Sequence, residues 1–184
     1  MRDLILDSDH SRASTVGIRK IFNIKKNKFL FSWEWTQMEQ SASRIIRNAG
    51  SWYEHFYVYD GYTNLGEVIG SSIGPGSNSH YISFSKIRKN EMIGIAFEVV
   101  DQDNDFYYEA FATSEDFRRY WKDLNLHLKF NKSFKNFNLS SNLAYIRSLN
   151  YQWEIDDSVG PYYRPGKDVD NFYLNLKLTY FGNW

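Results

Sequence analysis

From Asp123 to Phe130 the chain alternates without exception: Leu124, Leu126, Leu128 and Phe130 are apolar, while Asp123, Asn125, His127 and Lys129 are polar. A strict period of two belongs to an extended strand, whose successive side chains point to opposite faces; a helix repeats every 3.6 residues instead. Three further segments follow the rule. Phe172, Leu174, Leu176, Leu178 and Tyr180 oppose Tyr173, Asn175, Lys177 and Thr179. Phe29, Phe31, Trp33 and Trp35 oppose Lys28, Leu30, Ser32, Glu34 and Thr36, and Ile93, Ile95, Phe97 and Val99 oppose Met92, Gly94, Ala96 and Glu98. Weaker versions run over Thr15–Ile24, His80–Ile87 and Phe137 to about Trp153, the last interrupted on its apolar face by Ser141 and Arg147. "DLILD" near the start reads as the end of an eighth strand.

The connections alternate as well. Ile24–Asn27, Arg88–Glu91 and Asn131–Asn136 are short polar turns, whereas 38–78, 102–122 and 154–170 are long. Such a rhythm gives an antiparallel meander with one plain and one elaborated rim, within a single domain of 184 residues. The expected fold is therefore all-β: about seven or eight strands forming a transmembrane outer-membrane β-barrel, or part of one. Short turns would be periplasmic and long loops extracellular. The non-apolar face mixes Asn, Ser, Gly, Ala and Thr with single charges, which suits a crowded lumen. Aromatic residues also gather at strand ends, at Trp33, Trp35, Tyr81, Tyr145, Tyr151, Trp153, Tyr180, Phe181 and Trp184, as in an interfacial girdle. A soluble all-β domain with ordinary aromatics is the structural alternative. The ending "FYLNLKLTYFGNW" resembles the terminal strand that outer-membrane barrels present to the barrel-assembly machinery, so 171–184 is assigned that partner and the C-terminus to the periplasm.

Composition removes other classes. Lys plus Arg and Asp plus Glu number 22 each, so no net charge favours nucleic acid. With no Cys and four scattered His, neither thiol chemistry nor a zinc motif has ligands, and no cofactor or metal is expected. No run approaches the ~20 apolar residues of a membrane-spanning helix. "MRDLILDSDHSR" is not a secretory signal, so an exported chain would be a mature form or a fragment. Glu34 and Glu98 are the only candidate pair of catalytic carboxylates, and lumenal charges are the preferred reading, so no enzyme activity is expected. "DQDND" at 101–105 lacks the glycine and distal glutamate of a calcium loop and reads as solvated. "TSEDFRRYWKD" offers Thr113 or Ser114 as the N-cap of a short helix held by Phe117, Tyr120 and Trp121.

The stretch from Phe31 to Phe84 carries something more specific. It contains Glu34–Trp35, Glu39 and then "WYEHFYVYDGYTNLGEVIGSSIGPGSNSHYISF", with Tyr53, Glu54, His55, Tyr59, Asp60, Gly61, Tyr62, Gly66, Ile69, Gly70 and Gly74 as its marked positions. This combination resembles the Wzi-type capsule-assembly family over roughly a third of the chain, counted from the residues quoted. The resemblance implies a bacterial outer-membrane barrel that holds capsular polysaccharide or exopolysaccharide at the cell surface without catalysis. The chain would correspond to the C-terminal part of the family's larger barrels. Rings interleaved with polar groups suit sugar, since rings stack on apolar sugar faces and polar groups take hydroxyls. The assigned residues are Trp52, Tyr53, His55, Tyr59, Asp60 and Tyr62, with Tyr162, Tyr163 and Arg164 of the "GPYYRPG" loop tip behind them. The alternative for each ring is the hydrophobic core of its own loop. Two other functions remain open: a passive porin-like channel lined by Arg19, Glu98, Lys129 and Lys177, and a soluble carbohydrate-binding β-domain.

Overall fold

The computed structural model of the chain describes residues 12–41, 44, 48, 50, 52–53, 57–58, 60–65, 67–116, 118–154 and 166–182. Seven long strands account for most of it: β1 (Ser14–Ile24), β2 (Asn27–Gln37), β5 (Asn78–Arg88), β6 (Glu91–Asp101), β7 (Lys122–Ser133), β8 (Phe137–Leu149) and β9 (Val169–Tyr180). They form one antiparallel sheet in the order β1-β2-β5-β6-β7-β8-β9. A separate hairpin of β3 (Thr63–Asn64) and β4 (Glu67–Val68) lies in the first long connection. The meander expected from the alternation is thus present, with every long strand paired to its successor. Closure of the order is not among the described pairings, where β1 and β9 are the two ends. The segment Asp3–Asp7 and the final Trp184 lie outside the described residues.

Tight turns set the register. β1 and β2 pair from Ser14↔Gln37 to Ile24↔Asn27, leaving Lys25 and Lys26 as a two-residue turn. Lys25 has φ 56°, the left-handed conformation that matches hairpin turns to strand twist. At the next short turn Arg88 is opposite Glu91, and their side chains pair at 3.2 Å.

Register then determines which side chains share a face. One row across six strands reads Phe31, Phe84, Ile95, Leu128, Leu143 and Leu174, flanked by Trp33, Ile82, Phe97, Leu126, Tyr145 and Phe172. This apolar face is the open one: Leu128 is 53% exposed and Leu176 65%. The opposite face carries Ser32, Ser83, Ala96, His127, Ala144 and Tyr173 in one row, and there Ser83, Ala96 and Ala144 are buried. Small residues therefore sit low between longer neighbours. Lys129 donates to the Tyr81 hydroxyl at 2.8 Å, from β7 to β5, and Ala96 on the strand between leaves room for this bridge. Arg19, Glu98 and Lys177 lie on the same polar face, as the alternation required.

The second long connection departs from expectation. Its helix is α1 (Asn104–Tyr107), continued by a π turn over Tyr108–Ala112, upstream of the predicted one. Thr113 and Ser114 do not open a helix. Their hydroxyls donate to the Tyr108 carbonyl and to the Ala110 and Phe111 carbonyls, satisfying its C-terminal end. The N-cap is Asp103, whose carboxylate accepts from Phe106 N–H at 3.1 Å, so "DQDND" is a capping and anchoring segment rather than a solvated loop.

Close approach within the sheet gives one direct test. A Cβ at Gly94 would overlap Ser85 and press on the Phe84 carbonyl. Gly94→Val is expected to destabilise the folded sheet by about 1–3 kcal/mol, the usual cost of overpacking, read as a lowered urea midpoint. An unchanged midpoint would contradict the tight β5–β6 packing.

Candidate functional site

The long connections meet at one end of the sheet, where carboxylates join them. Where β2 ends, Glu39 accepts from the Asn78 amide at 2.6 Å and from the Asn104 amide at 2.9 Å, and pairs with Arg44 at 3.3 Å. One side chain thereby joins the start of β5, the start of α1 and the first long connection. Asn78 Oδ1 in turn accepts from the Met38 and Glu39 N–H groups at 3.3 Å. Asp105 of α1 accepts from Gln40 N–H, its two oxygens at 3.0 and 3.2 Å. Asn104 N–H donates to the Gly76 carbonyl and Asp103 N–H to Ser77 Oγ. Gly76 stands at φ 62° against the Asp103 carboxylate, where a Cβ would overlap it, so only glycine fits this approach.

Aromatic packing extends the assembly. The Arg44 guanidinium lies 3.6 Å over the Tyr108 ring, and the Tyr108 and Tyr120 hydroxyls are 2.8 Å apart. Tyr107 packs against Tyr120, ring centres 4.4 Å apart and planes tilted by 40°, and donates to the Arg118 carbonyl. Trp153 of the third connection meets Phe106 at 5.0 Å and Trp121 at 5.4 Å, and its carbonyl accepts from Arg118. Asn150 also donates to the Arg119 carbonyl. The second and third connections are thus packed together by rings, while the first and second are joined by carboxylates.

Between the first connection and α1 lies a cavity of about 480 Å³ whose lining includes Gln40, Arg44, Asn48, Asp105, Tyr108 and Glu109. Burial pushes the Asp105 carboxyl above its ordinary range, against the lowering effect of the Gln40 N–H and with a further upward push from Glu39. Tyr120 is raised as well, chiefly by its hydrogen bond to Tyr108 and then by burial.

The residues assigned from sequence fall into three groups. Tyr53 serves the loop itself: with φ 71°, it lays its ring on Gly70 and accepts Ser71 N–H at 3.0 Å. Trp52 lies half-buried beside it, ring centres 6.5 Å apart. Asp60 and Tyr62 are exposed. Tyr62 N–H donates to the Tyr53 carbonyl and its own carbonyl accepts from Ile69 N–H, so the backbone is fixed and the ring is open, 62% exposed. His55, Tyr59, Tyr162, Tyr163 and Arg164 lie outside the described residues. Elsewhere, Glu34 and Glu98 flank Tyr81 in one row, two strands and so roughly 10 Å of backbone apart. Glu98 accepts from Asn125 at 3.3 Å and lies 3.8 Å from His127.

Gln40, Arg44 and Tyr108 carry no assignment from sequence, and Asp105 falls in the 101–105 run read there as solvated. Gln40 and Asp105 are 65 positions apart, and no local spacing signals their contact. The fold defines the class: an all-β chain with a seven-stranded antiparallel meander whose long connections gather at one rim. Comparison with family models, with curated proteins and with solved structures finds no match.

The raised Asp105 carboxyl has a sign that can be checked. A carboxyl that binds its proton more tightly folded than unfolded destabilises the fold once ionised, so its penalty is absent at low pH and develops as pH rises from the ordinary value of 3.8 through the folded value. Protection of Gln40 N–H, corrected for intrinsic exchange, is expected to fall across that window in the native chain and to stay flat in Asp105→Asn, which keeps an acceptor without the charge. Parallel pH profiles for the two would refute the assignment.

Proposed function

We propose that the chain forms an outer-membrane β-barrel, or a sector of one, in a bacterial envelope, and that its outer rim binds capsular or exopolysaccharide without catalysing a reaction. The observation that carries the membrane part is the inverted sheet: Leu and Phe side chains lie open on one face while Ser and Ala are buried on the other. In water each such apolar side chain forgoes about 1.5–3 kcal/mol of burial, and contiguous apolar patches beyond a few hundred Å² are rare on soluble monomers. Acyl chains remove that cost. Strands of 11–13 residues support the same reading. At about 3.3 Å per residue and a tilt near 40°, 11 residues rise roughly 28 Å, close to the hydrocarbon thickness.

The polar face suits a wet interior. It carries the charged side chains Arg19, Glu98, Lys129 and Lys177 among Ser, Asn and Ala. The same observation favours the channel as the second reading, with these charges along the path. Saccharide binding is supported by the resemblance around Tyr53–Tyr62 and by the open Tyr62 ring on a fixed backbone. Loops joined by Glu39 and Asp105 would present these groups in a constant arrangement, so little ordering is needed on binding.

Expressed behind a bacterial signal peptide, the chain is expected to fractionate with the outer membrane and to migrate as a heat-modifiable species. Tyr62→Ala is expected to assemble equally and to retain about five-fold less surface polysaccharide, the loss of roughly 1 kcal/mol of contact. Unchanged retention in assembled Tyr62→Ala would count against the rim assignment. A species soluble without detergent would overturn the membrane reading.

A further inference from the structure

We infer that the cavity between the first long connection and α1 is a second saccharide subsite, specific for neutral, hydroxyl-rich sugar rings rather than uronic acids. The inference rests on the polysaccharide reading above and concerns groups that the resemblance does not mark. Its volume of about 480 Å³ admits one to two pyranose rings with their hydration. The lining supplies donors and acceptors together: the guanidinium of Arg44 and the amide Nδ2 of Asn48 donate, and the carboxylates of Asp105 and Glu109 accept, while Gln40 Nε2 is used within the loop on Asn48 and the Gly50 carbonyl. Vicinal hydroxyls, each able to donate and accept, match such a mixed set; a carboxylate ligand accepts only.

Charge decides between the two sugar classes. Arg44 is the only cation among the described lining residues, and Glu39 already pairs with it at 3.3 Å. Its Nη1 also donates to the Gln40 carbonyl at 2.9 Å, and its plane lies on Tyr108. These contacts fix the guanidinium in one orientation and offset its charge. Asp105 and Glu109 remain as acceptors, so an incoming uronate would face like charge in a partly desolvated site. A neutral ring meets no such repulsion. Asp105 cannot turn away, since Gln40 N–H holds both of its oxygens, and Gln40 Nε2 donates to Asn48 Oδ1 at 3.0 Å, so the donor and acceptor positions are set before the ligand arrives.

The test uses the full chain in detergent or bilayer, titrated with maltohexaose as the neutral probe and with oligogalacturonate of the same length as the acidic one. Maltohexaose is expected to bind at least ten-fold more tightly. Ala112→Trp fills the cavity from an exposed lining position and is expected to weaken maltohexaose at least ten-fold while leaving heat-modifiable migration unchanged. Glu109→Gln is expected to narrow the gap between the probes by removing one of the repelling charges. Equal or tighter binding of oligogalacturonate, or maltohexaose binding indifferent to Ala112→Trp, would overturn the subsite. If neither probe binds while assembled chain still retains surface polysaccharide, the subsite fails and the rim function stands. If neither binds and retention is also absent, both fail.

Discussion

The rest of the structure depends on one constraint, the pairing of a strict two-residue alternation with central strands, β5 to β8, that cover the polar half of it and leave the apolar half open. In a water-soluble sheet the hydrophobic effect turns Leu126, Leu128 and Phe97 inward and leaves Ser83 or Ala96 outside. Here the order is reversed. Because the seven long strands share one unbroken antiparallel register, a slip of one residue in any strand would move its entire apolar set to the other face. The tight turns at Lys25–Lys26 and Lys89–Asn90 prevent that slip. On the proposed membrane reading, the apolar face then needs only lipid, while the ends β1 and β9 need a strand partner, since backbone groups in hydrocarbon have no water to satisfy them.

The elaborated rim follows from a different balance. Long connections pay entropy to be ordered, and these recover it through a few charged hydrogen bonds and ring contacts rather than a large apolar core. Glu39 is the centre of that arrangement. Its two amide donors and its arginine come from three separate segments, and hydrogen bonds to a partly buried charge contribute about 1.5–3 kcal/mol each, more than neutral ones. The raised Asp105 carboxyl is the counterpart: holding an anion in a half-buried place, with Glu39 and Asp103 nearby, costs stability, and the geometry it fixes at Gln40 is what that cost maintains. On the functional reading, a rim held by such bonds gives a polysaccharide a fixed pattern of hydroxyl partners above a barrel wall.

Much of the fold was legible because alternation is a local property. Asp123–Phe130 states its two faces within eight residues, and the short turns are visible as polar interruptions. The weaker patterns misplace strand ends: β5 begins at Asn78, two residues before His80, where pairing with Gln37 continues, whereas β8 stops at Leu149 rather than near Trp153, because Asn150 turns into the left-handed region at φ 53° and a short turn over Tyr151–Trp153 follows. The helix was displaced because Thr113 and Ser114 carry capping chemistry that serves a C-terminal end as readily as an N-terminal one. In sequence Asp103 reads as part of a solvated acidic run. Its role needed Ser77, 26 positions away, to become apparent. The rim was legible only in part for the same reason: Tyr53 and Tyr62 stand in one aromatic stretch, whereas Arg44 and Tyr108 meet only in three dimensions.

The chain contains no cysteine, so single cysteines can be introduced at 126, 127, 128 and 129 without a background. Spin labels at these positions, in chain reconstituted into bilayers, would report collision with oxygen, which concentrates in acyl chains, and with a polar nickel chelate, which stays in water. A lipid-facing apolar sheet requires period-two behaviour: labels replacing Leu126 and Leu128 high in oxygen and low in nickel accessibility, those replacing His127 and Lys129 the reverse. Nickel accessibility on both faces alike would contradict the membrane reading at its central point.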